Sequence, residues 1–70
     1  MLPLSYAETN EVNVIKKVGG NPETRKHLED MGFVPGAVIN VISAINGNLI
    51  VSVKDCKVAL DKELAMKIMI

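Results

Sequence analysis

Turn-forming residues interrupt this chain so often that it can hold only short helices and strands. Each interruption favours a positive backbone φ angle or a fixed turn. The interruptions lie at Gly19-Gly20-Asn21-Pro22, Gly32, Pro35-Gly36, Asn46-Gly47 and Lys54-Asp55. A long helical bundle is therefore excluded, and the sequence predicts a compact arrangement of short segments.

The apolar residues favour strands over helices. Hydrophobic residues make up 49% of the 70 residues, but there is one Phe, one Tyr and no Trp. Aliphatic side chains must therefore form the core, and the β-branched ones among them suit a pleated sheet. A chain of this length buries only about 60% of the surface that its unfolded form exposes. We expect a single domain over residues 1–70 with little room for a deep catalytic cleft.

One segment, at about residues 21–31, carries the signals of a helix. Asn21-Pro22 supplies an N-cap followed by a proline at the first helical position. Gly32 follows the last turn, and Phe33 is then placed to contact Leu28, as in a Schellman ending. The pattern predicts one helix, inserted after the first strand.

Alternating apolar residues predict the strands. Val12, Val14 and Val18 are predicted on one face of the first strand, with Ile15 on the other. Asn46-Gly47 indicates a hairpin with a two-residue turn, although Asn48 could lengthen it. The apolar positions on its two strands are Ile39, Val41 and Ile45, then Leu49, Val51 and Val53.

A second tight connection, at residues 54–57, leads to a third strand containing Val58 and Leu60. Asp61 is expected to cap a short helical turn near residues 61–65, and Ala65, Ile68 and Ile70 then lead into a last strand. Closing such strands on each other removes exposed edges. The predicted fold is therefore mostly β, a small barrel of five to six short antiparallel strands.

Charge and residue counts exclude several functions. Eight basic and eight acidic residues give no net charge, so nucleic acid is not an expected partner. No apolar run resembles a signal peptide or a membrane span, which predicts no membrane insertion. The single cysteine excludes an internal disulfide and suits the reducing cytoplasm.

No catalytic or cofactor-binding residue is predicted. The sole histidine, His27, lies among charged helix residues, and Cys56 lies in a turn without a partner, so both are expected at the surface. One His and one Cys are too few for a classical zinc site. A weak site for a divalent metal such as ferrous iron or zinc, using His27, Cys56 and carboxylates, stays open.

Some apolar residues exceed what a small barrel can bury, and clustered exposed apolar residues mark docking surfaces. The alternative is that the N-terminal group seals one end of the barrel. The residues predicted to bind a partner are Leu2, Leu4, Tyr6, Val34, Pro35 and Met69.

A further pattern covers residues from about 11 to 70 and closely resembles the FeoA family. It runs Arg25-x-x-Leu28-x-x-Met31-Gly32-Phe33-x-Pro35-Gly36-x-x-Ile39-x-Val41-Ile42, then Leu49-Ile50-Val51, then Leu60-x-x-x-x-Ala65-x-x-Ile68-x-Ile70. A glycine often found shortly before the first strand is absent, since this chain has Glu8-Thr9-Asn10-Glu11. Gly32, Phe33, Pro35 and Gly36 match the family as determinants of the fold.

The resemblance implies an SH3-like barrel and a non-enzymatic, cytoplasmic accessory protein of bacterial ferrous iron uptake. Its implied partner is the cytoplasmic GTPase region of the FeoB-type membrane permease, which would hold it at the inner face of the membrane. The alternative is a stand-alone SH3-like module that regulates a metal-dependent repressor, or another partner, through a proline-rich or apolar segment. Either protein is expected to be a monomer or a weak homo-oligomer.

Overall fold

The computed structural model describes all residues 1–70. They form six short strands, two helices and one 3-10 turn, joined by turns and loops. The predicted order of strands and helices is confirmed. Along the chain they are the 3-10 turn Leu4–Tyr6, β1 Val12–Val14, β2 Lys17–Val18, α1 Pro22–Asp30, β3 Val38–Ile45, β4 Asn48–Val53, β5 Cys56–Leu60, α2 Lys62–Ala65 and β6 Ile68–Met69. Neither helix has the length and apolar composition needed to cross a bilayer.

The strands form two antiparallel sheets around one core. Four strands lie in the order β1-β3-β4-β5, and β2 pairs with β6. The first strand passes from one sheet to the other where Ile15 N–H donates to the Ala37 carbonyl (2.9 Å) and Lys16 N–H donates to the Met69 carbonyl (2.8 Å). Leu2 exchanges two hydrogen bonds with Ile70, so the N-terminus covers the other edge of β6.

Both ends of α1 follow the sequence prediction. The Asn21 side chain accepts a hydrogen bond from Thr24 N–H at 2.8 Å. At the other end Gly32 has φ +101°, and Phe33 N–H donates to the Leu28 carbonyl at 3.0 Å. This bond across six residues satisfies a carbonyl of the last helical turn, as a Schellman ending requires.

Two-residue turns close both hairpins. Asn46 and Gly47 have φ of 53° and 85°, which fits a type I′ turn. Lys54 and Asp55 have φ of 50° and 63°. The second turn is tighter than the predicted span of residues 54–57, because Cys56 already pairs with Val53 at the start of β5.

The core contains aliphatic side chains and one aromatic ring, and no polar or charged residue is buried in it. Its members come from both sheets, both helices and the 3-10 turn. They are Leu4, Ile15, Val18, Leu28, Phe33, Ile39, Val41, Leu49, Val51, Val53, Leu60, Ala65 and Ile68.

The prediction of which residues share a face of the first strand was wrong. Val12 and Val14 point to solvent, whereas Ile15 and Val18 are both buried. Strict alternation fails because the strand changes sheets between Ile15 and Lys16, which turns the following residues about the strand axis. Alternation describes only one uninterrupted ladder.

Candidate functional site

A shallow groove of about 370 Å³ lies at the end of the β3–β4–β5 sheet that carries the Asn46-Gly47 turn. Three strands and the start of α2 contribute to it. Its lining residues are Ser43, Ile45, Asn48, Leu49, Ile50, Ala59, Leu60 and Asp61.

Residues that pair across three neighbouring strands form the floor of the groove. Ser43 lies opposite Ile50 on β4, and Ile50 lies opposite Ala59 on β5. Small side chains therefore stand on both sides of an isoleucine that is 41% exposed. This arrangement leaves room beside Ile50 for an apolar group from another molecule.

A β-bulge creates the wall of the groove. The β3–β4 register shifts between Val41 and Ser43, so Ile42 is the extra residue. A bulge reverses the alternation of the residues that follow it. Ile45, which the alternation groups with Ile39 and Val41, is consequently 66% exposed on the outer face. No glycine or proline marks the bulge, so the sequence pattern missed this residue.

Polar contacts join the groove to α2. The Asn48 side-chain oxygen accepts a hydrogen bond from Lys62 N–H at 3.1 Å, and the Asp61 carboxylate accepts one from Leu64 N–H at 2.9 Å. The Lys62 side chain also lies so close over Gly47 that a Cβ there would be 3.0 Å from its Cδ atom. These contacts order the groove in the absence of a ligand.

The N-terminal residues predicted to bind a partner separate into core and surface. Leu4 is fully buried, so its assignment to a docking surface was wrong. The burial of Leu4 agrees with the alternative prediction, in which the N-terminal group seals one end of the barrel. Leu2 and Tyr6 are exposed, but Tyr6 lies on the 3-10 turn and Leu2 lies beside Ile70 at the edge of β6.

The other predicted partner-binding residues do not form one patch with them. Val34 is half-buried and Pro35 is exposed, in a turn closed by a hydrogen bond from Ala37 N–H to the Val34 carbonyl. This turn lies on one side of the strand at residues 15–16. Met69 is half-buried and lies on the other side, opposite Lys17.

The residues considered for a metal do not come together. His27 is exposed on α1, and Cys56 is an exposed free thiol at the start of β5. No group of three or more His, Cys, Asp or Glu side chains is placed to hold a metal ion.

Comparisons with known proteins match nearly the whole chain. The sequence model of the FeoA domain matches residues 2–70. A protein of Methanocaldococcus jannaschii, provisionally named Fe(2+) transport protein A, is 36% identical over 70 residues, which are 100% of this chain and 85% of that protein. A crystal structure of an iron uptake regulatory protein, FeoA, is 32% identical with a TM-score of 0.88, covering 97% of this chain and 90% of that one.

More distant structures are similar in fold alone. The Stenotrophomonas maltophilia FeoA complexed with zinc, described as a prokaryotic SH3 domain protein, has a TM-score of 0.85 at 21% identity, covering 99% of this chain and 88% of that one. A manganese-dependent transcriptional repressor has a TM-score of 0.85 at 14% identity, covering 94% of this chain and 38% of that one. The predicted small SH3-like barrel is confirmed.

Proposed function

This chain belongs to the FeoA family, and from that membership we propose that it assists ferrous iron transport by docking on the cytoplasmic GTPase region of the membrane ferrous iron permease. In this role it is a cytoplasmic, non-enzymatic protein that reaches the membrane only through its partner. Iron is the cargo of the permease, and no ligand set on this chain is assigned to it.

The groove beside Ile45 and Ile50 is the observation that supports docking. Both isoleucines stand on paired strands, so binding orders little backbone. Residues that dominate binding energy are apolar or aromatic anchors that fill such pockets. A partner side chain resting between Ile45 and Ile50 would bury the apolar surface that the chain alone leaves in water.

The lining also indicates the chemistry of the partner segment. Asp61 is the only ionisable residue in the groove, and its neighbours are apolar or uncharged. An apolar anchor next to a lysine or arginine complements this combination, because opposite charges at a rim favour the correct partner and orientation. We therefore assign the groove to an apolar residue flanked by a basic one in the GTPase region.

A binding measurement with matched surface variants tests the proposal. The purified GTPase region is titrated with the wild-type chain and with Ile45→Glu, Ile50→Glu and Val12→Glu, using calorimetry with and without guanine nucleotide. Val12 is the control, because at 64% exposed it resembles Ile45 but lies outside the groove. We expect both groove variants to weaken binding at least about tenfold, which corresponds to 1.4 kcal/mol, and Val12→Glu to bind normally.

The Val34→Glu variant tests the surface predicted from the sequence. If it abolishes binding while Ile45→Glu and Ile50→Glu do not, the docking surface lies at the turn before β3 and the groove is assigned wrongly. If the wild-type chain does not bind the GTPase region at all, docking on the permease is wrong. Binding to a metal-dependent repressor instead would favour the regulatory alternative.

A further inference from the structure

We infer that two copies of this chain associate through the free edge of β1, joining their four-stranded sheets into one antiparallel sheet. β1 lies at the edge of its sheet and pairs only with β3. An unpaired edge strand is a template for pairing with another strand. This inference concerns self-association and is independent of docking through the groove.

The backbone groups of two β1 residues are directed to this edge. Ile15 bonds to the β3 side, through Ala37 and Gly36, and Lys16 bonds to the opposite side, through Met69. Successive residues of a strand direct their N–H and C=O groups to opposite edges. Ile15 continues the β1–β3 register, so Val14 and Val12, one and three residues before it, direct their backbone groups away from β3 to the free edge.

Apart from its short length of three residues, β1 carries none of the devices that protect edges from pairing. Proteins place lysine, proline or bulges on exposed edge strands. On β5, the other edge of the sheet, Lys57 stands at a position directed away from β4. On β1 the residues facing the edge are Val12 and Val14, which are 64% and 48% exposed, and Val38 lies exposed opposite Val14 on the same face.

Charge complementarity identifies the occupant as a second copy. Two acidic residues, Glu8 and Glu11, precede β1, and two basic residues, Lys16 and Lys17, follow it. In an antiparallel pair of identical strands, the acidic end of each copy lies beside the basic end of the other. The net charge of zero adds no repulsion between copies.

The pairing register follows from which residues face the edge. Val12 of each copy pairs with Val14 of the other, which gives four backbone hydrogen bonds and places the two Asn13 residues opposite each other on the twofold axis. In the single chain the Asn13 Nδ2 atom is buried without a hydrogen-bond partner. Side chains of directly opposite residues lie on the same face about 5 Å apart at Cβ, so the proposed pairing brings a second polar side chain next to this unpaired donor.

Sedimentation equilibrium with paired charge variants tests the inference. Because the interface is short, we expect association only near a chain concentration of about 1 mM, with the apparent mass rising from 7.6 kDa toward twice that value. Glu8→Lys/Glu11→Lys and Lys16→Glu/Lys17→Glu should each stay monomeric, because like charges then meet at both ends. An equal mixture of these two variants should associate again.

Two further variants complete the design. Glu29→Lys/Asp30→Lys on α1 changes the net charge as much as Glu8→Lys/Glu11→Lys does and should still associate. Val12→Lys/Val14→Lys should abolish association while its amide spectrum shows that the domain stays folded. A wild-type chain that stays monomeric, a mixture that does not associate, or lysines on β1 without effect would each overturn the inference.

Discussion

The Lys62 backbone N–H at the start of α2 donates a hydrogen bond to the Asn48 side chain at the start of β4, fourteen residues earlier in the sequence. The first N–H groups of a helix have no partner within the helix, so this bond satisfies one of them. It also fixes the β3–β4 hairpin against α2, and with it the groove that Ile45 and Asp61 line.

Replacing Asn48 should loosen the groove more than the domain. The bond is exposed, so we expect Asn48→Ala to lower the free energy of unfolding by only about 0.5 kcal/mol, the low end for a hydrogen bond. The free energy of binding to the GTPase region should fall by more than this amount, because the groove is no longer held in place. Urea unfolding and calorimetry measure the two effects. Equal losses in stability and binding would contradict the role given to Asn48.

A β-branched residue should not be tolerated at the end of α1. Gly32 has φ +101°, where L side chains are strained whatever the space. We expect Gly32→Val to lower the free energy of unfolding by about 1–3 kcal/mol. Gly19→Ala is the control, because Gly19 has ordinary φ and its added Cβ would lie 3.4 Å from the nearest atom. Circular dichroism during urea unfolding compares them, and an unchanged midpoint for Gly32→Val would contradict the helix ending described here.

The turn between β4 and β5 should be open to stabilisation. Asp55 adopts φ 63°, a left-handed conformation that costs roughly 1–2 kcal/mol for most L residues and less for aspartate. Asp55→Gly should therefore raise the free energy of unfolding by up to about 1 kcal/mol. Thermal unfolding measures the change. Gly47→Ala brings a Cβ to 3.0 Å from the Lys62 side chain and should lower the free energy of unfolding instead. A destabilising Asp55→Gly would argue against this turn geometry.

The N-terminal segment should be necessary for folding. Leu4 is fully buried in the core, and truncating a buried leucine costs about 2–5 kcal/mol. Leu4→Ala should therefore unfold much of the protein at ambient temperature, whereas the exposed Leu2→Ala should not. Dispersion of the amide spectrum distinguishes folded from unfolded chains. A well-dispersed spectrum for Leu4→Ala would indicate that the segment only lies on the surface.

Local chemistry made much of the fold predictable. Asn21, Gly32, Asn46-Gly47 and Asp61 each fix the backbone through their own side chain or the lack of one, so their caps and turns could be predicted correctly. The face of the sheet on which Val12 and Ile45 lie could not be predicted, because it depends on where a strand leaves regular pairing. The strand crossing after Ile15 and the bulge at Ile42 arise from closing the sheets, and no residue type marks either one.

The candidate site was harder to predict for the same reason. Composition predicted surplus apolar residues at the surface, but which residues they are depends on register. Ile45 was grouped with Ile39 and Val41 but lines the groove, because the register shifts between Val41 and Ser43. Leu4 was expected at the surface but lies in the core, because the 3-10 turn packs against α2, which no alternation pattern describes. One shift of register exchanges the two faces of a strand, so surface assignments made from alternation are the first to fail.

The affinity of the permease GTPase region for the wild-type and Ile45→Glu chains tests docking through the groove most directly. The account predicts binding by the wild-type chain, a loss of at least about tenfold in affinity for Ile45→Glu, and an unchanged affinity for the equally exposed control Val12→Glu. Equal affinities for the wild-type and Ile45→Glu chains would contradict it.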